Sequence, residues 1–145
     1  MKNELIKSLN RLLSDYQIYY QNLRGFHWNI QGRDFFELHV KFEELYNDAT
    51  IKIDEVAERI LTIGGIPLHT FEDYTQNSKI EAVKNVHNGE KAVTTIIDNL
   101  SSIVEVERNI KNTAEELNDS GSADMISAFI EEQEKTLWMF KAWLK

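Results

Sequence analysis

Apolar residues recur at three- and four-residue spacing through most of the chain, and the only proline stands at position 67. No other feature constrains the fold as much. Side chains three and four apart share one face of an α-helix, whereas a half-buried strand needs strict alternation. In residues 4–24 the repeat is Leu5, Ile6, Leu9, Leu12, Leu13, Tyr16, Tyr20 and Leu23. It predicts a first helix that ends near Asn29–Gly32. Asp34-Phe35-Phe36-Glu37 reads as a capping box opening a second helix, which runs to about Ile63. Gly64-Gly65, with Pro67 just beyond, stops it.

Residues 66–88 form a long crossover, and the capping box Ser78-Lys79-Ile80-Glu81 predicts a short helix inside it. Asn88-Gly89 starts a third long helix, carried by Val93, Ile96, Leu100, Ile103, Ile110 and Leu117. Asn118-Asp119-Ser120-Gly121 is a turn, and Ser122 caps a fourth long helix containing Ile126, Phe129, Leu137 and Phe140. Four long helices with one long crossover make an all-α, ferritin-like four-helix bundle, with residues 1–145 as one domain.

A chain of 145 residues, 42% of them apolar, can bury a real core. It has no cysteine, so any bound metal must take nitrogen and oxygen ligands. The net charge of -8 repels nucleic-acid phosphate and attracts cations. The amphipathic start, MKNELIKSLNRLL, has neither a long apolar run nor a cleavage site. The expectation is therefore no signal peptide, no membrane span and a cytoplasmic location.

The candidate ligands are His27, His39, Asp54 and Glu58. Counting about 100° per residue from His39, Glu43 falls at about 40°, Thr50 at about 20°, Asp54 at about 60° and Glu58 at about 100°. They form one polar stripe along the second helix. Yet His39 and Asp54 are separated by roughly 22 Å of helix, at ~1.5 Å per residue. One metal cannot touch both within a chain. If two copies of this helix cross antiparallel about a twofold axis near Asn47, His39 of one meets Asp54 and Glu58 of the other. Symmetry then makes the site twice. His27 can fold back beside His39, leaving open metal positions for an oxidant. A metal centre inside one bundle would need Glu-x-x-His motifs. None occurs: the residues three before His27, His39, His69 and His87 are Arg24, Phe36, Ile66 and Lys84. The competing structural reading is a solvated or wet-interface stripe in a helical oligomer.

Several stretches carry a more specific likeness. They are His27-Trp28-Asn29, Gly32, Phe35-Phe36, Leu38-His39, Asp54-Glu55-Val56-Ala57-Glu58-Arg59 and Leu61-Thr62-Ile63-Gly64-Gly65-Ile66-Pro67. Asp124-Met125 and Leu137-Trp138-Met139-Phe140-Lys141-Ala142 extend it into the last helix. With these residues the chain resembles the Dps family of bacterial mini-ferritins over essentially its full length.

The resemblance implies a hollow shell of twelve subunits, with ferroxidase centres of two irons each at twofold interfaces. His27 and His39 would come from one subunit, Asp54 and Glu58 from its partner, with Glu58 as bridge. Glu43 stands where the family usually has Asp, as a ligand or neighbour of the second iron. Trp28 packs near the site and would intercept oxidising radicals. Asp124 and Glu134 would line an acidic threefold pore, and Glu131 is a further candidate because it lies on the same side as Asp124, about 20° apart on the helix. Asp124 is also expected in the first turn of its helix, where a carboxylate suits the positive end. Glu44 and Asp48, at about 140° and 180° on the wheel, are weaker candidates for mineral nucleation on the inner wall, and a solvated face explains them as well. His69 and His87 are expected as crossover surface or capping residues, and the Trp138–Trp143 aromatics as core or interface.

The function expected is a ferroxidase and iron-storage cage that oxidises Fe(II), preferably with hydrogen peroxide rather than dioxygen, and protects against oxidative stress. The alternatives are a DNA-binding, nucleoid-protecting protein and a structural helical oligomer. Stable DNA binding is not expected: the helical period begins by Leu5, Lys2 is the sole basic residue before it, and Lys145 directly follows Trp143-Leu144.

Overall fold

The periodic stretches fold as helices in the computed structural model, which describes residues 1–145 and contains no strand. The helices are α1 (Lys2–Asn29), α2 (Phe35–Thr62), α3 (Phe71–Asn77), α4 (Gly89–Glu116) and α5 (Ser120–Leu144). α1 packs along α2 and α4, α5 packs along α4, and the short α3 rests on α1. The apolar faces close on one core that includes Leu9, Leu12 and Phe26 of α1, Phe42 and Val56 of α2, Ile103 of α4 and Phe129 of α5. Fully burying one such side chain contributes roughly 1.5–3 kcal/mol. No helix is long and apolar enough to cross a membrane.

The end of α2 follows its sequence signal. Gly64 has φ +95, and its N–H donates to the Leu61 carbonyl at 3.0 Å. The Gly65 N–H reaches the Ile60 carbonyl at 2.8 Å. This paired closure satisfies two terminal carbonyls. Gly65 is required for a second reason: a Cβ there would stand 2.7 Å from Ile6 Cγ2, where α1 passes.

Three local expectations are corrected. Asp34 precedes α2 but its side chain caps nothing, so the Asp34–Glu37 box does not close. The crossover helix lies before Ser78, over Phe71–Asn77, and Thr70 caps it by accepting from the Asp73 N–H. Ser78 ends α3 instead of starting a helix. Its hydroxyl donates to Asp15 Oδ1 at 2.8 Å, and the Lys79 N–H donates to the same oxygen at 2.9 Å. These bonds to α1 outcompete the local capping box, and the chain after Ser78 runs without helix to α4. The last helix begins earlier than predicted. Asn118, at φ 57, closes α4, and Asp119 caps α5 by accepting from the Ser122 N–H at 3.0 Å. Asp124 therefore lies beyond the first turn of α5, which contains no acidic residue. The macrodipole explanation for Asp124 falls with that.

Polar residues of α1 fasten the crossover at three levels. Asn10 bonds Ile66 and Leu68 of the chain passing it, Asp15 bonds Ser78 and Lys79, and Asn22 bonds Glu81 and Val83. Each satisfies backbone or side-chain groups that a loop against a helix would otherwise leave unpaired.

Candidate metal centre

His27 lies in the last turn of α1 and is buried, while His39 sits one turn into α2. The short connection folds the two helices back on each other, so the imidazoles stack with centroids 3.8 Å apart and planes 10° apart. Each ring is fixed by the other's backbone. His27 Nδ1 is 2.7 Å from the His39 carbonyl, and His39 Nδ1 is 2.7 Å from the His27 carbonyl. A carbonyl only accepts, so each Nδ1 carries the proton and each Nε2 is left with a lone pair. Backbone bonds of this kind orient histidines for metals. Phe35 stacks on the other side of His39 at 4.8 Å, and Tyr46 meets His27 edge-on at 5.4 Å. Glu43 brings a carboxylate oxygen to 3.6 Å from His27 Nε2. The longer glutamate thus points at the ligand nitrogen.

Asp54 and Glu58 are exposed on α2, and neither enters any of the chain's ion pairs. No three histidine or carboxylate side chains of the single chain converge as a metal cage. Within one chain the candidates therefore stand apart, as an oriented imidazole pair and an unengaged carboxylate pair. The surface between and around them is apolar for a water-facing helix. Phe36 is 82% exposed, Ile51 59% and Leu61 59%, with Val40 beside them. All four fall between about 40° and 120° on the wheel that carries the ligand candidates.

Trp28, expected as a packing residue, is 56% exposed, and the Arg24 guanidinium lies 4.7 Å from its ring centre. Within one chain it packs on no core. His69 and His87 are surface groups of the crossover, against the carbonyls of Pro67 and Asn29. Of the terminal aromatics, Phe140 is buried and Trp138 exposed.

The other acidic candidates differ in their surroundings. Asp124 and Glu131 are exposed. Glu134 instead pairs with Arg108 at 2.7 Å, which offsets its charge. Glu44 pairs with Lys41 at 2.9 Å and Asp48 with Lys52 at 2.5 Å.

The bundle interior holds charged residues that the sequence reading passed over. Lys52 is 3% exposed, with its ammonium against Asp48 and Glu132 and over the Phe129 ring. Glu107 is fully buried and receives a hydrogen bond from Tyr16, to which Gln133 Nε2 donates in turn at 2.7 Å. Burial pushes Glu107 up to about 8, against the opposing effects of the Tyr16 bond and the Lys52 charge. This layer has no imidazole and already contains an ammonium, so its donor set does not suit iron. The signal was visible: Glu107 stands in register with Ile103, Ile110 and Ala114, an acid on an apolar face.

Comparison with known proteins places the fold in a family. Residues 6–145 match the family model described as a ferritin-like domain. The chain is 44% identical over 142 residues to a DNA protection during starvation protein of Porphyromonas gingivalis, covering 96% of this chain and 87% of that one. It is 34% identical over 144 residues to general stress protein 20U of Bacillus subtilis, covering 99% of each. The crystal structure of a Dps protein from Vibrio cholerae superposes with a TM-score of 0.98 at 44% identity, over 99% of this chain and 91% of that one. That protein is described as a member of a broad superfamily of ferritin-like diiron-carboxylate proteins. With its bundle, its crossover and nearly its whole length matched, the chain belongs to the Dps family of ferritin-like proteins.

Proposed function

We propose that this protein is a ferroxidase and iron-storage mini-ferritin that acts as a dodecameric shell in the cytoplasm. The observation that carries the reading is the split site. At one end of α2 stand His39 and, from α1, His27, both with Nε2 outside any hydrogen bond, and the other end of the α2 face bears two carboxylates without partners. An antiparallel pairing of two α2 helices brings each imidazole pair to the partner's Asp54 and Glu58. It also covers Phe36, Val40, Ile51 and Leu61. Nitrogen and carboxylate oxygen donors in that combination suit iron.

Iron is the substrate. His27 and His39 would hold one Fe(II) together with Asp54 of the second subunit. Glu58 would bridge to a second Fe(II), which Glu43 approaches from the histidine side. Two Fe(II) give one electron each to a hydrogen peroxide, which takes up two protons and leaves as two waters. Taking both electrons at one centre avoids releasing hydroxyl radical, and Trp28, the residue after His27, would intercept any that forms. Ferric iron then hydrolyses and is stored as mineral on the acidic interior. Asp124 and Glu131 are the entry carboxylates in this reading. Glu44 and Asp48 reach the mineral only by exchanging their lysine partners.

Anaerobic Fe(II) titration followed by peroxide, read by ultraviolet absorbance, tests the chemistry. The expected result is two irons per site and about one peroxide per two irons, oxidised faster than with dioxygen at equal concentration. Faster oxidation by dioxygen would remove the peroxide assignment. Mixed assembly tests the sharing. Chains carrying His27→Ala and His39→Ala are co-assembled with chains carrying Asp54→Ala and Glu58→Ala. A mixed interface has one intact site, so partial activity returns. Demonstrably mixed shells without activity would sink the shared site.

DNA protection, for which several relatives are named, is the second reading. A net charge of -8 per chain opposes it at physiological salt. Retardation of linear duplex by intact shells without magnesium would promote it.

A further inference from the structure

Glu107 takes no part in the proposed iron chemistry, yet it is fully buried near the middle of the bundle. Its neighbours come from three helices. Tyr16 of α1 donates its hydroxyl proton to Glu107 Oε2. Gln133 of α5 donates from Nε2 to the Tyr16 oxygen. The donors in this layer are then largely used. Glu107 Oε1 and Gln133 Oε1 are both sealed from solvent and both lack a partner. Each is a buried acceptor without a donor. Burial outweighs the Tyr16 and Gln133 hydrogen bonds, which favour the ionised carboxyl. One proton on Glu107 Oε1 would remove the charge from the sealed, unpartnered oxygen. An ionised Glu107 would leave an unpaired charge in the core, a costly arrangement.

The charges around it do not remove the need for that proton. α2 presents Lys52, but its ammonium is engaged with Asp48 at 2.5 Å and Glu132 at 3.3 Å. On α4 the next residue, Arg108, turns outward to Glu134. α1 offers only Tyr16, with Tyr19 a turn beyond it, and α5 offers the neutral Gln133. A small pocket lined by Asp48, Lys52 and Glu132 reaches Tyr16 and Gln133, the two side chains that flank Glu107.

We propose that Tyr16, Glu107 and Gln133 form an acid-loaded latch: Glu107 is held as a neutral carboxylic acid at neutral pH, and loss of its proton loosens α4 from α1 and α5. The latch works against the usual sense of carboxylates, which strengthen a fold by being ionised. The folded-state value, pushed up to about 8, lies above the ordinary 4.5. Stability from the latch is therefore complete below 4.5 and is lost as pH rises to about 8. A shell that releases protons as ferric iron hydrolyses would keep the latch closed while it works. That clause rests on the proposed function; the latch itself does not.

Infrared difference spectroscopy on the intact assembly, without iron, reads the proton directly. The wild-type protein is expected to show a protonated carboxyl carbonyl band at pH 7 that fades around pH 8 and is missing in Glu107→Gln. No band at pH 7, or a band unchanged in Glu107→Gln, overturns the proposal. Gln in place of Glu107 mimics the neutral acid with permanent donors. The melting temperatures of the two proteins should nearly coincide at pH 4.5, then separate by several degrees in favour of the variant by pH 8. A gap that does not grow with pH also overturns it. If Glu107→Gln fails to fold, Tyr16→Phe serves instead. Removing the hydroxyl that donates to Glu107 should carry the band to higher pH, and an unmoved band would exclude the cluster. None of these readouts depends on ferroxidase activity, so the latch can fail while the iron site stands, or the reverse.

Discussion

The two ends of α2 carry ligand candidates of the same proposed centre, yet the fold treats them in opposite ways. At the N-terminal end His39 is stacked between His27 and Phe35, and both imidazoles are bound through Nδ1. At the C-terminal end Asp54 and Glu58 stand in water without a partner. The difference follows from the chemistry of the side chains. An imidazole binds metal through one nitrogen in one tautomer, so orientation has to be fixed beforehand. A carboxylate offers two equivalent oxygens and is costly to bury before its cation arrives. The second end is not loose, however. Arg59, next to Glu58, ties α2 to the start of α5 through Ser122 at 2.9 Å and Asp119 at 2.7 Å. The backbone is held while the ligands stay free.

The sharpest way to break this comparison is to remove ligands at each end. His39→Ala should lower the iron oxidation rate by about 100-fold or more and also lower the melting temperature, because the His27 carbonyl loses its donor. Asp54→Asn and Glu58→Gln should lose comparable activity with the melting temperature unchanged. If the carboxylate variants melt as low as the histidine variant, the two ends are not built differently.

A smaller but still large effect is expected from the surface that joins the ends. Ile51→Glu with Leu61→Glu puts charge on the apolar face of α2, where each side chain is worth roughly 1.5–3 kcal/mol when covered. Sedimentation should show a dissociated assembly with helicity retained. An intact assembly would mean that α2 pairs with nothing there.

Iron entry compares a free carboxylate with a neutralised one. Asp124→Asn should slow uptake within about tenfold, as loss of electrostatic steering does. Glu134→Gln should change it far less, because Arg108 already offsets that charge. Equal effects in stopped-flow uptake would show that the Arg108 pair opens in the shell.

The smallest effect concerns the tie behind Glu58. Asp119→Ala removes a helix cap and the Arg59 partner, costing about 1 kcal/mol. Desolvation pushes the Asp119 carboxyl up, but the Ser122 bonds and the Arg59 charge together hold it below its ordinary 3.8. Its contribution is therefore present above that value and lost as pH falls through the depressed one. The gap between wild type and variant should close only on the acid limb. A gap that persists at pH 2 would assign the loss to packing.

The four long helices were legible in the residue pattern, because a 3.6-residue apolar repeat buries one face in no other regular structure. The same pattern also marked where α2 stops, since Gly64 adopts φ +95 and Gly65 leaves room for Ile6. It named His27, His39, Asp54 and Glu58, and the length of a helix turn showed that one chain cannot unite them. What it misplaced were short elements whose partners lie far along the chain. Ser78 had a sound local signal, but Asp15, 63 residues away, took its hydroxyl. Asp119 rather than Ser122 caps α5, because the left-handed Asn118 turns the chain and starts the helix three residues earlier. Only the tertiary structure decided that the two imidazoles lock each other, and that Glu107 and Lys52 point inward rather than to solvent. Periodicity assigns a residue to a face. Which group fills the hydrogen-bonding needs of a buried atom depends on helices brought together from distant parts of the chain.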